Sequence, residues 1–149
     1  MNGKMVDYHY TQSGLPNIWI RCRCVIDDAG ERTAIIPNVK GLHKAIAHEV
    51  VNSRGALTGR EIKFLRSEMG LTPAEFGKLI HREASTVSRW EHGAATPDGA
   101  LDTLIRMLAT AKLKLDADPD EISRHCKKVA RKPRIRITKK EMNAVSMAA

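Results

Sequence analysis

Ser85 and Arg89 stand four residues apart in the stretch LTGREIKFLRSEMGLTPAEFGKLIHREASTVSRWEHG, residues 57 to 93. On a helix that spacing is about one turn, so both side chains look the same way. A guanidinium is a rigid fork of donors that pairs in bidentate fashion with guanine O6 and N7, and a serine hydroxyl donates to or accepts from a neighbouring base edge. Ala84 shares the outward side and joins them as a candidate base-reading position. Lys78, Arg82, Thr86 and Ser88 supply cations and hydroxyls of the kind that hold phosphates, and Thr72 adds a backbone N–H at a helix N-terminus. Each has a plainer reading: a surface salt bridge from Arg89 to Glu83 or Glu91, and simple solvation for Ser88 and Lys78.

Other chemistry finds less support. Cys22, Cys24 and Cys126 make an odd number of cysteines, and reduced thiols are expected of them. A structural zinc site takes four ligands, usually as two close pairs, whereas only Cys22 and Cys24 are close, spaced C-x-C. His9, His43 and His48 complete no standard ligand spacing, and His43 and His48, five apart, do not share a helix face. No metal or other cofactor is therefore expected. There is no Gly-rich phosphate loop, no H-E-x-x-H and no nucleophile in a recognisable setting, so the chain reads as a non-enzyme.

Three short helices must position Ser85 and Arg89. Thr58 stands three residues before Glu61 and Thr72 three before Glu75, two capping boxes that mark helix starts, with Pro73 at a first helical position. Ile62, Leu65 and Met69 recur at helical spacing, as do Phe76, Leu79 and Ile80, and then Val87 and Trp90, which predicts a shared small core. Gly77 inside the second helix costs about 1 kcal/mol against alanine, which a close crossing would explain. The turn between the second and third helices is His81, Arg82 and Glu83, and Gly93 ends the third.

On these residues, Leu71 to Gly93 resembles the helix-turn-helix of lambda-repressor-like (Xre-type) DNA-binding domains. The run STVSRWEHG is similar to that family's recognition helix. His81, Arg82 and Glu83 depart from the usual turn glycine, apolar residue and Ser or Thr cap. The resemblance implies that the helix over residues 84 to 92 enters a major groove of double-stranded DNA.

The chain has 149 residues, 42% of them apolar, and a formal charge of +8, enough for one domain or two small ones. Nine Lys or Arg and no acid lie between Arg124 and Lys140, so nearly all the excess is near the C-terminus, while residues 57 to 93 carry six bases and five acids. Phosphate affinity follows local positive charge. Lys127, Lys128, Arg131, Lys132, Arg134 and Arg136 are therefore candidates for non-specific DNA contact from a basic, flexible tail over 116–149, the alternative being a solvated tail. No window is apolar enough to span a membrane and no secretory core follows Met1, so a cytoplasmic location is expected.

Residues 1–53 alternate in short β-prone runs, 8–11, 18–26 and 32–37, followed by an amphipathic helix over 41–52. The order YHYTQSGLPNIWI, IPNVKGLHKAIA, LTGREIKFLR looks like MqsA-type antitoxins and the wider group of YgiT-like zinc-finger/helix-turn-helix regulators. This resemblance covers roughly residues 6 to 108. It implies a repressor that binds its operator as a homodimer and, in antitoxins, holds a toxin protein with its N-terminal part. The family's paired C-x-x-C motifs are reduced here to Cys22 and Cys24. After Gly93, Thr96 and Pro97 can start a further helix whose Leu101, Leu104, Ile105 and Leu108 complete a core or form a dimer seam. The expected fold is α+β, mainly α: a short antiparallel sheet plus helix over 1–53, then a five-helix lambda-repressor-like domain over 54–115. The expected function is sequence-specific transcriptional regulation, the alternative being an interaction module that neutralises a toxin.

Overall fold

The computed structural model describes residues 3–126 and 132–147, with side chains up to Asn143. The fold is α+β, with a four-stranded sheet and seven helices among the described residues. Contacts divide it into two units: the residues up to Ile46 together with those from Pro133 onward, and Ala47–Lys132.

In the first unit, β1 (Lys4–His9), β2 (Ile18–Ile26) and β3 (Arg32–Ile35) form an antiparallel set with β2 central. The alternation of β2 sets its faces: Ile18, Ile20, Cys22 and Cys24 are buried, while Trp19, Arg21 and Arg23 point the other way. A fourth strand, β4 (Ile135–Ile137), runs parallel to β2 in the register Ile18↔Ile135 to Ile20↔Ile137. It shares with β3 the edge of β2 opposite β1. The core of this unit also takes Leu42, Ala45 and Ile46 from α1 (Val39–Val51) and Met142 from α7 (Lys139–Met147). A Cβ at Gly41 would collide with the Met142 carbonyl oxygen, so α1 and α7 meet at that glycine.

The expected division into 1–53, 54–115 and a flexible tail differs from this arrangement. Ile135 and Ile137 are buried strand residues, and the described segment from Pro133 groups with the first unit. Two isoleucines among many cations are too weak a period-two signal to stand out from charge composition.

The second unit holds α2 (Gly59–Glu68), α3 (Pro73–Ile80), α4 (Ala84–Glu91), α5 (Gly99–Leu113) and α6 (Pro119–His125). Both capping boxes form: Thr58 accepts from the Glu61 N–H, Thr72 from the Glu75 N–H, and each glutamate returns a bond to its cap residue. Ile62, Leu65, Phe76, Ile80, Val87 and Trp90 are buried as their spacing predicts. Leu79 is not; it is 41% exposed. At 100° per residue the buried arc of α3 runs through Phe76, Ile80 and Gly77, which leaves Leu79 outside it. Helix α5 begins at Gly99 rather than Pro97, because the Asp98 carboxylate accepts the Leu101 N–H and caps it.

The α5 face turned inward keeps Ile105 of the predicted stripe but is centred on a charged pair. Asp102 and Arg106 are fully buried with Ile105 and Ala109, while Leu104 is exposed. The Arg106 guanidinium donates to Asp102 Oδ1 at 2.7 Å and to the carbonyls of Ser53 at 2.5 Å and Gly55 at 2.6 Å. Asp102 Oδ2 accepts the Leu57 N–H at 2.7 Å, next to the cap of α2. Leu57 therefore enters α2 on a fixed path.

His81 closes α3 in the left-handed conformation, φ 58° and ψ 46°. That conformation costs an L-residue about 1–2 kcal/mol, whereas the extra freedom of an unfolded glycine costs about 0.4–1 kcal/mol. His81→Gly is thus expected to stabilise the protein by about 0.5–1 kcal/mol, read as a raised urea midpoint. An unchanged or lowered midpoint counts against the strain.

Candidate nucleic-acid interface

Helices α3 and α4 are joined by His81, Arg82 and Glu83, and the join is tight. A Cβ at Gly77 would run into the Arg82 carbonyl oxygen, which accounts for the glycine in mid-helix. Glu83 is the N-cap of α4 and makes no side-chain cap bond. Helix α4 is held from behind by three features. Val87 and Trp90 are buried. Gly59 of α2 abuts the carbonyls of Trp90 and Glu91, where no side chain would fit. Arg66 of α2 grips the Glu91 carboxylate with two bonds, Nε at 2.6 Å and Nη2 at 2.9 Å. This pair is nearly buried, 12% and 6% exposed, and the carboxylate raises the Arg66 pKa above its ordinary value. Bidentate, largely buried pairs of this kind fix geometry as well as adding energy.

With Val87 and Trp90 inward, Ser85, Arg89 and His92 project from the opposite side, and Ser88 and Ala84 lie half-buried at its margin. Ser85 and Arg89 are exposed, one turn apart. Among the described residues no hydrogen bond or ion pair engages the Arg89 side chain. The plainer reading of Arg89 as a partner of Glu91 is excluded, since Glu91 is held by Arg66. His92, which sequence reasoning did not single out, caps α4 with its Nδ1 2.7 Å from the Ser88 carbonyl. Its place after Arg89, at i+3, was the available signal.

The phosphate candidates divide. Lys78 and Arg82 are exposed, and Thr86 is half-buried on the flank of α4. Arg82 Nη1 rests on the His81 carbonyl at 3.0 Å. Thr72 is corrected: its N–H donates to the Glu75 carboxylate at 2.9 Å, and the bond lowers the Glu75 pKa. A phosphate there would have to displace an anion from the donor it already holds.

The basic candidates near the C-terminus are also redistributed. Lys127, Lys128 and Arg131 lie outside the described residues. Lys132 is turned inward: its Nζ lies 3.2 Å from Glu61, itself buried, and donates to the Gly55 carbonyl at 3.0 Å. It is a structural cation rather than a free one. Arg134, just before β4, lies over the Trp19 ring at 4.3 Å, and Arg136 of β4 lies beside Asp7 at 3.2 Å.

Cys22 and Cys24 are buried two residues apart on the inner face of β2. Burial pushes the Cys22 thiol up, with Cys24 adding to it, and the thiolate that a metal requires is correspondingly disfavoured. Among the described residues no group of three or more His, Cys, Asp or Glu is placed to hold a metal ion. No described helix is long and apolar enough to cross a membrane.

The search for relatives is negative: no protein-family model matches the chain, and neither does any curated protein or solved structure.

Proposed function

We propose that the chain is a sequence-specific DNA-binding transcriptional regulator of lambda-repressor-like type, with α3 and α4 as its helix-turn-helix. The observation that carries this reading is the outward side of α4, where Ser85 and an unengaged Arg89 project one turn apart from a helix locked at its back by Trp90, Gly59 and the Arg66–Glu91 pair. Such a rod can lie in a major groove with Arg89 on guanine, Ser85 on the next base edge, and Lys78, Arg82, Thr86 and Ser88 on phosphates. Two copies are needed to read two half-sites. The exposed flank of α5, with Leu104 and Met107 at 37% and 39% exposure, offers an apolar seam for a homodimer.

Selection of bound sequences from a random duplex pool with the full chain tests the proposal. The expected result is an enriched, guanine-containing inverted repeat whose half-sites lie about 34 Å apart, one helical turn. A pool that emerges with no shared sequence counts against base reading.

A second reading keeps one specific observation in its favour. Met5, Ile26, Ile35 and Val39 are 41% to 62% exposed, an apolar surface on the first unit suited to a partner protein such as a toxin. A partner that co-purifies stoichiometrically and is lost on Ile35→Asp supports it.

A further inference from the structure

The outer face of the four-stranded sheet carries a concentration of fixed arginines that α4 does not account for. Register places Met5, Asp7 and His9 of β1, Trp19, Arg21 and Arg23 of β2, and Arg136 of β4 on this one face. Arg134, just before β4, joins them through the Trp19 ring. Four guanidinium groups thus share a face whose strands contribute a single acid, Asp7. Three are held in place by neighbours. Arg134 lies 4.3 Å over the indole, whose ring also stacks on His9 at 4.5 Å and 10°. Arg21 and Arg136 converge on Asp7 at 3.8 Å and 3.2 Å. One carboxylate cannot neutralise two guanidiniums, and most of their donors remain turned to solvent, with Arg21 and Arg136 41% and 56% exposed.

We propose that this face is a second nucleic-acid surface, binding the phosphate backbone of duplex DNA without reading sequence. Prior fixation favours it, since an arginine already held by a ring or a shared carboxylate loses less side-chain freedom on meeting a phosphate. Arg21 and Arg23 lie about 7 Å apart along β2, with Arg136 one strand away, so the cations extend along the face beyond the Asp7 carboxylate that two of them share. Two other occupants fit less well. The hollow beside Arg21, Arg23 and Lys139 has a volume of about 220 Å³. That is smaller than the usual 300–1,000 Å³ of small-molecule sites. A protein partner would find an apolar margin where Met5 and Ile35 flank Arg23, but the rest of the face is arginine and the Trp19 ring is already covered by His9 and Arg134. The choice of DNA as the polyanion rests on the function proposed above; the cation cluster itself does not.

The test uses the full chain carrying Arg21→Gln, Arg23→Gln and Arg136→Gln together, with Arg134 kept because it packs on Trp19. Binding to a random-sequence duplex is measured across salt concentrations beside the parent protein, and thermal melting confirms the fold. Each lost phosphate contact lowers the slope of log K against log salt by about 0.9. The triple variant should therefore lose about 2.7 in slope and, at about 0.15 M salt, on the order of 100-fold in affinity, while keeping its sequence preference. A variant that melts like the parent and keeps the parent's slope and affinity overturns the proposal, as does one that instead loses an acidic protein partner. Loss of sequence preference in α4 variants is scored separately, so the two readings fail independently. A parent protein that binds no duplex at all overturns both.

Discussion

Arg106→Ala is expected to remove about 3–5 kcal/mol of folding free energy, the usual cost of breaking a buried ion pair from one side. The size follows from what the guanidinium leaves behind. Asp102, 1% exposed, keeps the Leu57 N–H and the Cys126 thiol as donors but loses its cation. The Ser53 carbonyl loses its Arg106 donor at the same time, and the Gly55 carbonyl is left with Lys132 Nζ alone. Domains of this size are stable by about 5–15 kcal/mol, so the loss is a large share of the total and the denaturant midpoint should fall markedly. Denaturant titration of the full chain by far-UV circular dichroism measures the loss. Asp102→Leu with Arg106→Leu removes both charges and should cost less than the single change, since no ion is then left unpaired in the core. A single-variant loss below about 1 kcal/mol, or a double variant worse than the single, would show that the pair does not hold residues 53–57.

That pair matters to the interface through a chain of contacts. Arg106 fixes the backbone of residues 53–55, Asp102 fixes Leu57, and Leu57 leads into the capped start of α2. Helix α2 in turn seats α4 at Gly59 and through Arg66. The capping boxes, the turn after Ile80, and the burial of Val87 and Trp90 were legible in the sequence because they are local: each depends on residues three or four apart. The Arg66–Glu91 pair was not, and neither was the burial of Asp102 and Arg106, although those two stand only four residues apart. Polar residues on a helix read as solvent-facing, and only the tertiary arrangement, 51 residues from Arg106 back to Gly55, turns them inward. The leucine stripe of α5 misled for the same reason, since it competed with a core face built on a charged pair.

The C-terminal segment gives the opposite lesson. Its charge was plain, but charge says nothing about partners. Among the described residues Lys132 is paired with Glu61, so its charge is not free for a phosphate. A parallel strand pairing Ile135 with Ile18 spans nearly the whole chain, and no local pattern encodes so distant a partner. The outward pair Ser85 and Arg89 is legible because amphipathicity is local, and the engagement of Thr72 by Glu75 follows from the capping box itself. A cap residue's N–H is already occupied when the box closes.

Arg89→Ala should abolish preference at one base pair while leaving the fold unchanged. Arg89 is an exposed residue whose removal deletes no internal contact, so the stability cost is expected within about 0.5 kcal/mol. A bidentate arginine to guanine is worth about 1–3 kcal/mol of discrimination, roughly 5- to 150-fold between the right and wrong base. Affinity for random duplex should fall far less, by the share of one cation. Arg89→Lys separates geometry from charge: lysine keeps the positive charge but has no planar fork, so it should retain non-specific binding and still lose most of the preference. Competition between a selected site and its single-base variants, at two salt concentrations, reads all three proteins. Equal losses on selected and random DNA in the alanine variant, or a lysine variant that discriminates like the parent, would mean that Arg89 acts as a phosphate clamp, and base reading by α4 would have to rest on Ser85 and His92 instead.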